Sequence, residues 1–176
     1  LQEDLFIMEF YEVLKTRRSI RSYKSDPVPE EALRRIAEAA QCAPSACNRQ
    51  PWKLVAVRNA ALRKKICEVY RNPFLAQAPV ILLALGNASM AWQRPGDDHS
   101  IVEIDLGIMF EHAVLAAAAE GLGSCWICAF ERAKMDAAAG ISAPWTVLAV
   151  SPLGYAAAEP NPYQRKPSAE TFEVID

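Results

Sequence analysis

The fold is decided by the stretch SIVEIDLGIMFEHAVLAAAAEGLG, residues 100–123. Ser100 and Glu103 form a capping-box pattern at its start, and Gly121 offers a left-handed stop at its end. The stretch therefore predicts one long helix over residues 101–120. This helix is apolar on nearly every side. Such a helix must be buried on most sides, either at the centre of the core or partly against a second subunit.

Shorter predicted elements surround this helix. The pattern of apolar residues predicts helices over residues 9–16, 30–40, 60–69 and 131–139, and strands over residues 52–57, 80–85, 124–130 and 146–150. The strand at residues 80–85 is continuously apolar between Pro79 and Gly86, which is typical of a strand buried on both faces. The alternating tail at residues 171–175 predicts an edge strand that pairs elsewhere. The mixture of elements predicts an α+β fold.

Length and composition predict one domain that needs no disulfides. The chain has 176 residues, and 52% of them are hydrophobic, so about 70% of the unfolded surface can be buried. We interpret residues 8–176 as this domain and residues 1–7 as an N-terminal extension. Five cysteines at irregular spacing, with no signal peptide ahead of them, predict reduced thiols and a cytoplasmic location.

Charge and hydropathy argue against two classes of partner. A formal net charge of −2 is unfavourable for general binding to nucleic acid. The longest apolar region, residues 101–119, contains three acidic residues and a histidine, which a helix crossing a bilayer rarely tolerates. We therefore expect neither a nucleic-acid partner nor a membrane partner.

One short window runs against the overall charge. Residues 15–24 contain five basic residues and no acidic residue. At its centre, Arg17, Arg18 and Arg21 flank Ser19. The serine hydroxyl can join the guanidinium donors around a phosphate, so the pattern favours an anionic ligand. The alternative is a solvated helix end, where cations are favourable without binding a ligand.

A second motif lies between a predicted helix and a predicted strand. Pro44 and Pro51 stiffen a loop whose polar residues are Ser45, Asn48 and Gln50. Side-chain amides both donate and accept hydrogen bonds, which suits the edge of a heterocycle that carries both kinds of group. The alternative is an ordinary connection between a helix and a strand.

Cys125 and Cys128 have the C-x-x-C spacing of a redox dithiol or of half a zinc site. Both lie in an apolar, strand-like run without an adjacent Lys, Arg or His to stabilise a thiolate. A zinc site would also need Cys42 and Cys47, whose spacing is unusual. We interpret Cys125 and Cys128 as buried structural cysteines, with a dithiol as the alternative, and we predict no metal site.

Six segments, taken in their order along the chain, resemble the FMN-dependent nitroreductase family. They are RRSIR at 17–21, DPVPEEALRRIAEAA at 26–40, APSACNRQPW at 43–52, GLGSCWICAF at 121–130, LGY at 153–155 and RKP at 165–167. The resemblance covers nearly the whole chain, as a short, single-domain member. It implies a central, mainly antiparallel sheet flanked by helices. It also implies a homodimer with the long helix at its centre and an exchanged C-terminal strand.

The resemblance implies roles for three groups of residues in holding FMN. The residues implied to hold the phosphate and ribityl chain are Arg17, Arg18, Ser19 and Arg21, with Arg165 and Lys166 from the C-terminal segment. The residues implied to reach the flavin of the other subunit are Pro44, Ser45, Asn48 and Gln50. The strand end implied to present a backbone N–H to flavin N5 comprises Ile127, Cys128 and Ala129.

Arg21 is the residue implied to lie near the N1 and C2 carbonyl side of the flavin. A cation there stabilises the negative charge of the reduced ring, so it favours hydride uptake. Many family members carry glycines or an acid where this chain has Cys128 and Ala129. A backbone contact survives that difference, but the side chains and the thiol change the access to N5.

The function implied by the resemblance is hydride transfer from NADH or NADPH, through flavin N5, to an electron-poor small molecule such as a nitroaromatic or a quinone. Two alternatives stay open: a specialised reductive dehalogenase or flavin-destroying relative, and a flavin-binding redox sensor that uses Cys125 and Cys128. The polar segment at residues 87–99 is a candidate cover for the site. A charge at Met109, in the long helix, is expected to separate the implied dimer.

Overall fold

The computed structural model describes residues 9–175, so the predicted extension at residues 1–7 lies outside the described part of the chain. The helices are α1 (Phe10–Thr16), α2 (Glu30–Gln41), α3 (Ala60–Val69), α4 (Pro73–Gln77), α5 (Val102–Ala119) and α6 (Arg132–Ala139). The strands are β1 (Trp52–Val57), β2 (Val80–Gly86), β3 (Gly123–Ser124) and β4 (Thr146–Gly154). Helices and strands alternate without forming a βαβ repeat.

The four strands form one sheet in the order β1-β2-β4-β3, and every strand pair is antiparallel. This arrangement confirms the prediction of a mainly antiparallel sheet flanked by helices. Trp52 lies opposite Gly86, and Val80 lies opposite Leu153, so β2 is paired on both sides. An isolated parallel bridge between Ser19 and Ser124 holds the segment that follows α1 beside β3.

Strand β2 is buried along its whole length, as its unbroken apolar run predicts. Its successive side chains point to opposite faces of the sheet. Val80, Leu82 and Ala84 belong to the core formed with α2 and α5. Ile81, Leu83 and Leu85 belong to the core formed with α3, α4 and α6. Helices therefore cover both faces of the sheet.

Helix α5 agrees with the predicted long helix to within a residue or two at each end. Gly121 has the left-handed φ of 71° that its position as a helix stop predicts. The predicted capping box is wrong, because Ile101 caps the helix and Glu103 pairs with Arg132 at 2.7 Å. No helix within residues 9–175 is long and apolar enough to span a membrane.

One side of α5 is open to solvent in the single chain. Ile104 is 59% exposed, whereas Met109 is completely buried among α2, α5 and the sheet. The expectation that a charge at Met109 separates a dimer is therefore wrong, because such a charge would disrupt the core of the subunit itself. A residue on the open side, such as Ile104, is the appropriate position.

The predicted strand at residues 124–130 is mostly wrong. Strand β3 contains only Gly123 and Ser124, and Ile127 makes an isolated bridge to Val150. The ladder stops because the Cys125 N–H donates to the side-chain oxygen of Ser151, at 2.9 Å, instead of to a strand carbonyl. A side chain thus replaces the backbone acceptor that a continuous strand would need.

Three smaller differences concern the ends of elements. Helix α4 was not predicted, although Asn72 caps it and Pro73 occupies its first turn. Strand β4 runs four residues further than predicted, to Gly154. The tail at residues 171–175 pairs with no strand within the described part of its own chain. Exchange of this tail between subunits stays a prediction.

Gly123 allows the basic window to approach β3. A Cβ at Gly123 would lie 2.6 Å from Cγ1 and 2.8 Å from Cβ of Ile20. The Ile20 N–H donates to the Ser124 carbonyl at 2.9 Å, and the Tyr23 hydroxyl donates to the Ile20 carbonyl at 2.7 Å. Burial raises the pKa of Tyr23 far above its ordinary value, so this hydroxyl stays protonated.

We predict that Gly123→Ala lowers the free energy of unfolding by about 1–3 kcal/mol, because the added methyl group overlaps Ile20. Urea denaturation of the variant and of the parent chain measures this change. The matched control is the pair Ile20→Ala and Ile20→Ala/Gly123→Ala, in which most of the overlapping side chain is gone. Gly123→Ala should cost less in the Ile20→Ala background than in the parent, and an equal cost in both backgrounds would contradict the steric explanation.

Candidate functional site

The basic window and the C-terminal segment meet in one cleft, here called the basic cleft. Helix α1 ends at Thr16, and the extended chain that follows is aligned beside β3 by the Ser19 bridge to Ser124. The cleft has a volume of about 220 Å³. Its lining residues are Arg17, Arg18, Ser19, Arg21, Pro160, Asn161, Pro162, Tyr163 and Arg165. Five of the six residues predicted to hold a phosphate are thus brought together.

Lys166 is the sixth of these predicted residues, and it does not line the basic cleft. Its side chain is 74% exposed, and its Nζ lies 3.9 Å from Oε2 of Glu170. The two residues are four positions apart across the short 3₁₀ helix Ser168–Glu170. In this structure the cleft therefore takes its C-terminal cation from Arg165 alone.

The basic cleft concentrates positive charge. Four guanidinium groups line it, and only Arg17 has an ion pair within the described residues, at 3.7 Å between its Nε and Oε1 of Glu111. Arg18 donates to the carbonyl oxygens of Lys15 and Arg17. These bonds fix the guanidinium without neutralising it. The cleft is therefore suited to a ligand group with two negative charges.

The loop between Pro44 and Pro51, here called the amide loop, has an unusual backbone. Cys47, Asn48 and Gln50 have φ values of 50°, 52° and 47°, a left-handed conformation that costs a non-glycine residue about 1–2 kcal/mol. The Gln50 N–H donates to the Ser45 hydroxyl oxygen at 2.9 Å, and the Gln50 side-chain amide donates to Asn48 Oδ1 at 3.1 Å. The predicted polar residues therefore hold one another in a defined arrangement.

A buried acid anchors the amide loop to the first turn of α5. Asp105 is 2% exposed, and its Oδ1 accepts a hydrogen bond from the Ala46 N–H at 3.1 Å. Its Oδ2 has no hydrogen-bond partner among the described residues. The segment at residues 87–99 packs beside the same loop, because Arg49 donates to the Ala91 carbonyl at 2.9 Å. This candidate cover therefore lies against the amide loop.

Within one chain, no residue of the amide loop lines the basic cleft. The amide loop contacts Asp105 at the start of α5. Arg17 Nε lies 3.7 Å from Oε1 of Glu111, further along the helix, and Arg17 and Arg18 line a second cavity with Ala118 near its end. The two predicted walls of the site therefore attach to different parts of α5 in a single subunit.

The strand end at residues 127–129 is close to the basic cleft along the chain. Ser124 pairs with Ser19, and Ile127 follows Ser124 by three positions. The Cα atoms of Ser124 and Ile127 are therefore at most about 11 Å apart. Ile127 is buried and its N–H donates to the Val150 carbonyl. The N–H groups of Cys128 and Ala129 have no protein acceptor in the described residues, and both residues are exposed. They are available to a ligand.

The two cysteines of the C-x-x-C pair have different surroundings. Cys125 is 4% exposed, as expected for a structural cysteine, but Cys128 is exposed, so the prediction that both are buried is wrong for Cys128. The chain turns outward after Ile127 instead of continuing as a strand. Partial burial raises the pKa of the Cys128 thiol, with a smaller opposing effect from Arg132.

Comparison with known proteins identifies the family of this chain. The sequence profile of the nitroreductase family matches residues 14–69 and 66–155. The chain belongs to the nitroreductase family. A relative from Methanothermobacter thermautotrophicus, provisionally named NADH dehydrogenase/NAD(P)H nitroreductase, is 36% identical over 88% of this chain and 81% of its own.

A second relative and a solved structure are also similar to this nitroreductase-family chain. The FMN reductase [NAD(P)H] of Bacillus subtilis is 35% identical over 66% of this chain, and the match spans 52% of that protein. A crystal structure of a nitroreductase family protein from Clostridium novyi NT is 33% identical. It superposes with a TM-score of 0.79 over 85% of this chain and 86% of the other.

Sequence reasoning missed three residues that organise this candidate site. Glu111 lies between the basic window and the C-x-x-C segment, because its Oε2 accepts a hydrogen bond from the Trp126 indole at 3.0 Å. Asp105 holds the amide loop, and the ring of Tyr163 lies in the basic cleft. The two acids were visible as interruptions of an apolar helix. Tyr163 follows two prolines just ahead of Arg165, which gave no chemical signal.

We predict that Cys128 is alkylated slowly at neutral pH, because a raised pKa lowers the fraction of reactive thiolate. The rate of reaction with iodoacetamide should rise with pH, with a midpoint above the ordinary cysteine value of about 8.5. Peptide mass spectrometry separates Cys128 from the other exposed cysteines, Cys42 and Cys47. A rate at Cys128 that is already maximal at pH 7 would contradict this prediction and favour a reactive thiol.

Proposed function

We propose that this protein is an FMN-dependent oxidoreductase that takes a hydride from NADH or NADPH and passes reducing equivalents to an electron-poor small molecule, such as a nitroaromatic or a quinone. The observation that carries the proposal is the basic cleft next to a strand end. Four guanidinium groups line the cleft, and only Arg17 has an ion pair among the described residues, at 3.7 Å. At the strand end, the N–H groups of Cys128 and Ala129 have no acceptor among the described residues. The names of the M. thermautotrophicus and B. subtilis relatives support the same activity.

The basic cleft fits the phosphate of FMN in charge and in donor geometry. A guanidinium offers several in-plane N–H donors, which match the oxygens of a phosphate. Arg17 and Arg18 after α1 and Arg165 in the C-terminal segment supply these donors, and the Ser19 hydroxyl adds a fourth group. An acidic or neutral cleft of the same size would not compensate the phosphate charge.

Arg21 and the strand end act on the ring of the bound cofactor. When bound, FMN supplies the hydride-accepting and electron-donating chemistry. Arg21 is exposed beside Ser19 and lines both the basic cleft and an adjoining cavity with Glu159. Its fixed charge favours a reduced, negatively charged ring, and the N–H groups of Cys128 and Ala129 are donors for N5. We assign no acid or base to proton transfer, so water supplies the protons.

The same proposal includes a homodimer whose sites are completed across the subunit interface. The amide loop residues Pro44, Ser45, Asn48 and Gln50 do not line the basic cleft of their own chain, and the loop is bonded to Asp105 at the start of α5, so we assign these residues to the cleft of a partner. The open side of α5 at Ile104, with exposed Phe10, Tyr11 and Leu14 of α1, supplies the apolar contact surface.

The exposed C-terminal tail extends this arrangement. Phe172, Val174 and Ile175 are 72%, 68% and 88% exposed, and no strand within residues 9–175 of their own chain pairs with them. Apolar side chains at that exposure are unfavourable in water, so we propose that the tail packs on the partner as an exchanged strand. The domain comprises residues 8–176 and works in the cytoplasm, where its cysteines stay reduced.

The direct test is the visible spectrum and turnover of the purified chain. Bound oxidised flavin, and oxidation of NADH or NADPH that depends on an added nitroaromatic or quinone, are the expected results. We predict that Arg21→Ala raises the Kd for FMN about tenfold, which is about 1.4 kcal/mol, and lowers the reduction potential of the bound flavin. Arg34→Ala, which removes an exposed arginine of α2, is the control and should change neither value.

Absence of acceptor-dependent turnover in flavin-loaded protein would contradict the enzymatic proposal and leave a flavin-binding sensor. Unchanged affinity and potential in Arg21→Ala would remove this residue from the site while leaving the activity intact. The two measurements therefore test the activity and the assignment of Arg21 separately.

We predict that Ile104→Glu yields a folded monomer that retains little FMN, because it places a charge on the open side of α5 without disturbing the core. Analytical ultracentrifugation measures the assembly, and circular dichroism verifies the fold. Ala76→Glu, at an exposed position of α4 on the opposite face of the sheet, is the control and should stay dimeric and flavin-loaded. A monomer of Ile104→Glu with full flavin occupancy would contradict the shared site.

A further inference from the structure

Tyr163 contacts two of the four arginines in the basic cleft. The guanidinium carbon of Arg18 lies 3.7 Å from the centroid of the Tyr163 ring. The guanidinium carbon of Arg165 lies 4.7 Å from the same centroid. Both distances are within the range of a cation–π contact. One aromatic ring therefore connects the basic window after α1 with the C-terminal segment.

The Tyr163 ring offsets part of the repulsion between two like charges in this cleft. Two guanidinium groups repel each other, and long arginine side chains lose conformational entropy when they are fixed. Arg18 is also held by the carbonyl oxygens of Lys15 and Arg17. Arg165 has no hydrogen bond or ion pair within the described residues, so the ring of Tyr163 is the contact that holds it in the cleft.

Stacking also leaves the arginines able to bind. A carboxylate partner would occupy the in-plane N–H donors of a guanidinium and cancel its charge. A cation–π contact uses no N–H donor, so the charge stays in place. Arg165 keeps all of its donors, and Arg18, whose Nη1 donates to the Lys15 and Arg17 carbonyl oxygens, keeps those on Nε and Nη2. Two acids lie around the cleft: Glu111, whose Oε1 is 3.7 Å from Nε of Arg17, and Glu159, which lines the adjoining cavities. Neither forms an ion pair with Arg18 or Arg165.

We propose that Tyr163 is a positioning residue of the anion-binding cleft: its ring holds Arg18 and Arg165 in place for a terminal phosphate and so favours a phosphorylated ligand over its unphosphorylated form. The identity of that ligand as FMN rests on the function proposed above, whereas the role of Tyr163 toward a phosphate group does not. The ring acts through its face, so the hydroxyl group is dispensable.

The test compares FMN with riboflavin, which lacks the phosphate, on the full-length apoprotein. Flavin fluorescence quenching gives the Kd of each ligand for the parent, Tyr163→Leu and Tyr163→Phe. Tyr163→Leu should raise the Kd for FMN about tenfold and the Kd for riboflavin less than twofold. Tyr163→Phe should keep both values within twofold of the parent, because it retains the aromatic face.

Equal losses of FMN and riboflavin affinity in Tyr163→Leu would overturn the proposal, because the residue would then only anchor the tail. A loss in Tyr163→Phe as large as in Tyr163→Leu would overturn it as well, since the hydroxyl would be responsible. Tyr163 is 43% exposed, so the ligand-free variants should unfold near the parent temperature. The FMN-to-riboflavin ratio within each variant is independent of any general change in stability.

A double-mutant cycle tests the contact itself. Tyr163→Leu should weaken FMN binding much less in the Arg165→Ala background than in the parent, because one of the two stacked cations is then absent. Full additivity of the two losses would overturn the positioning role toward Arg165.

Inorganic phosphate separates this proposal from the proposed function. If the parent binds neither flavin, the function proposed above fails, but a phosphate titration followed by thermal unfolding still tests Tyr163. A phosphate-dependent rise in unfolding temperature that is present in the parent and Tyr163→Phe, and absent in Tyr163→Leu, supports the proposal. A rise retained in Tyr163→Leu, or no rise in the parent, overturns it.

Discussion

Helix α5 buries a row of side chains against α2 and the central sheet, so each polar group on that helix must find a partner or face solvent. Asp105 bonds the amide loop, Glu111 contacts both Arg17 and Trp126, and Glu120 forms a two-bond pair with Arg35 at 2.6 Å. Two of these interruptions, Asp105 and Glu111, are thus contact points for the amide loop and for the basic window. The packing of one helix determines the positions of the loops around the site.

The same helix bears on the proposed dimer. The amide loop is bonded to Asp105 near the start of α5, whereas the basic window contacts Glu111 further along and lines a cavity with Ala118 near the end. A rigid helix keeps these attachment points apart, and no residue of the amide loop lines the basic cleft. In the proposed dimer a second copy supplies this loop, and exposed Ile104 of α5 is part of the proposed contact surface.

Prediction from the sequence succeeded where one interaction dominates. A segment in which apolar residues dominate must be buried on most sides, and both the uninterrupted run of β2 and the largely apolar α5 are. The charge of the basic window likewise predicted the cleft. The segment after Ser124 was misread because its ladder ends at a bond to the Ser151 side chain, a contact between residues far apart in sequence. The stacking of Tyr163 on Arg18 was missed for the same reason, since composition carries no information about which distant residues meet.

The amide loop lowers the free energy of unfolding in two ways. Three non-glycine residues in the left-handed region, and a buried carboxylate with one unbonded oxygen, are each unfavourable by about 1–3 kcal/mol. A stable connection between α2 and β1 needs none of them. Asp105 is placed where the N-terminal dipole of α5 favours a negative charge, which offsets part of the cost. Because the strain keeps the polar groups of Asn48 and Gln50 at the surface, the loop conformation is better explained by a ligand-binding role than by stability.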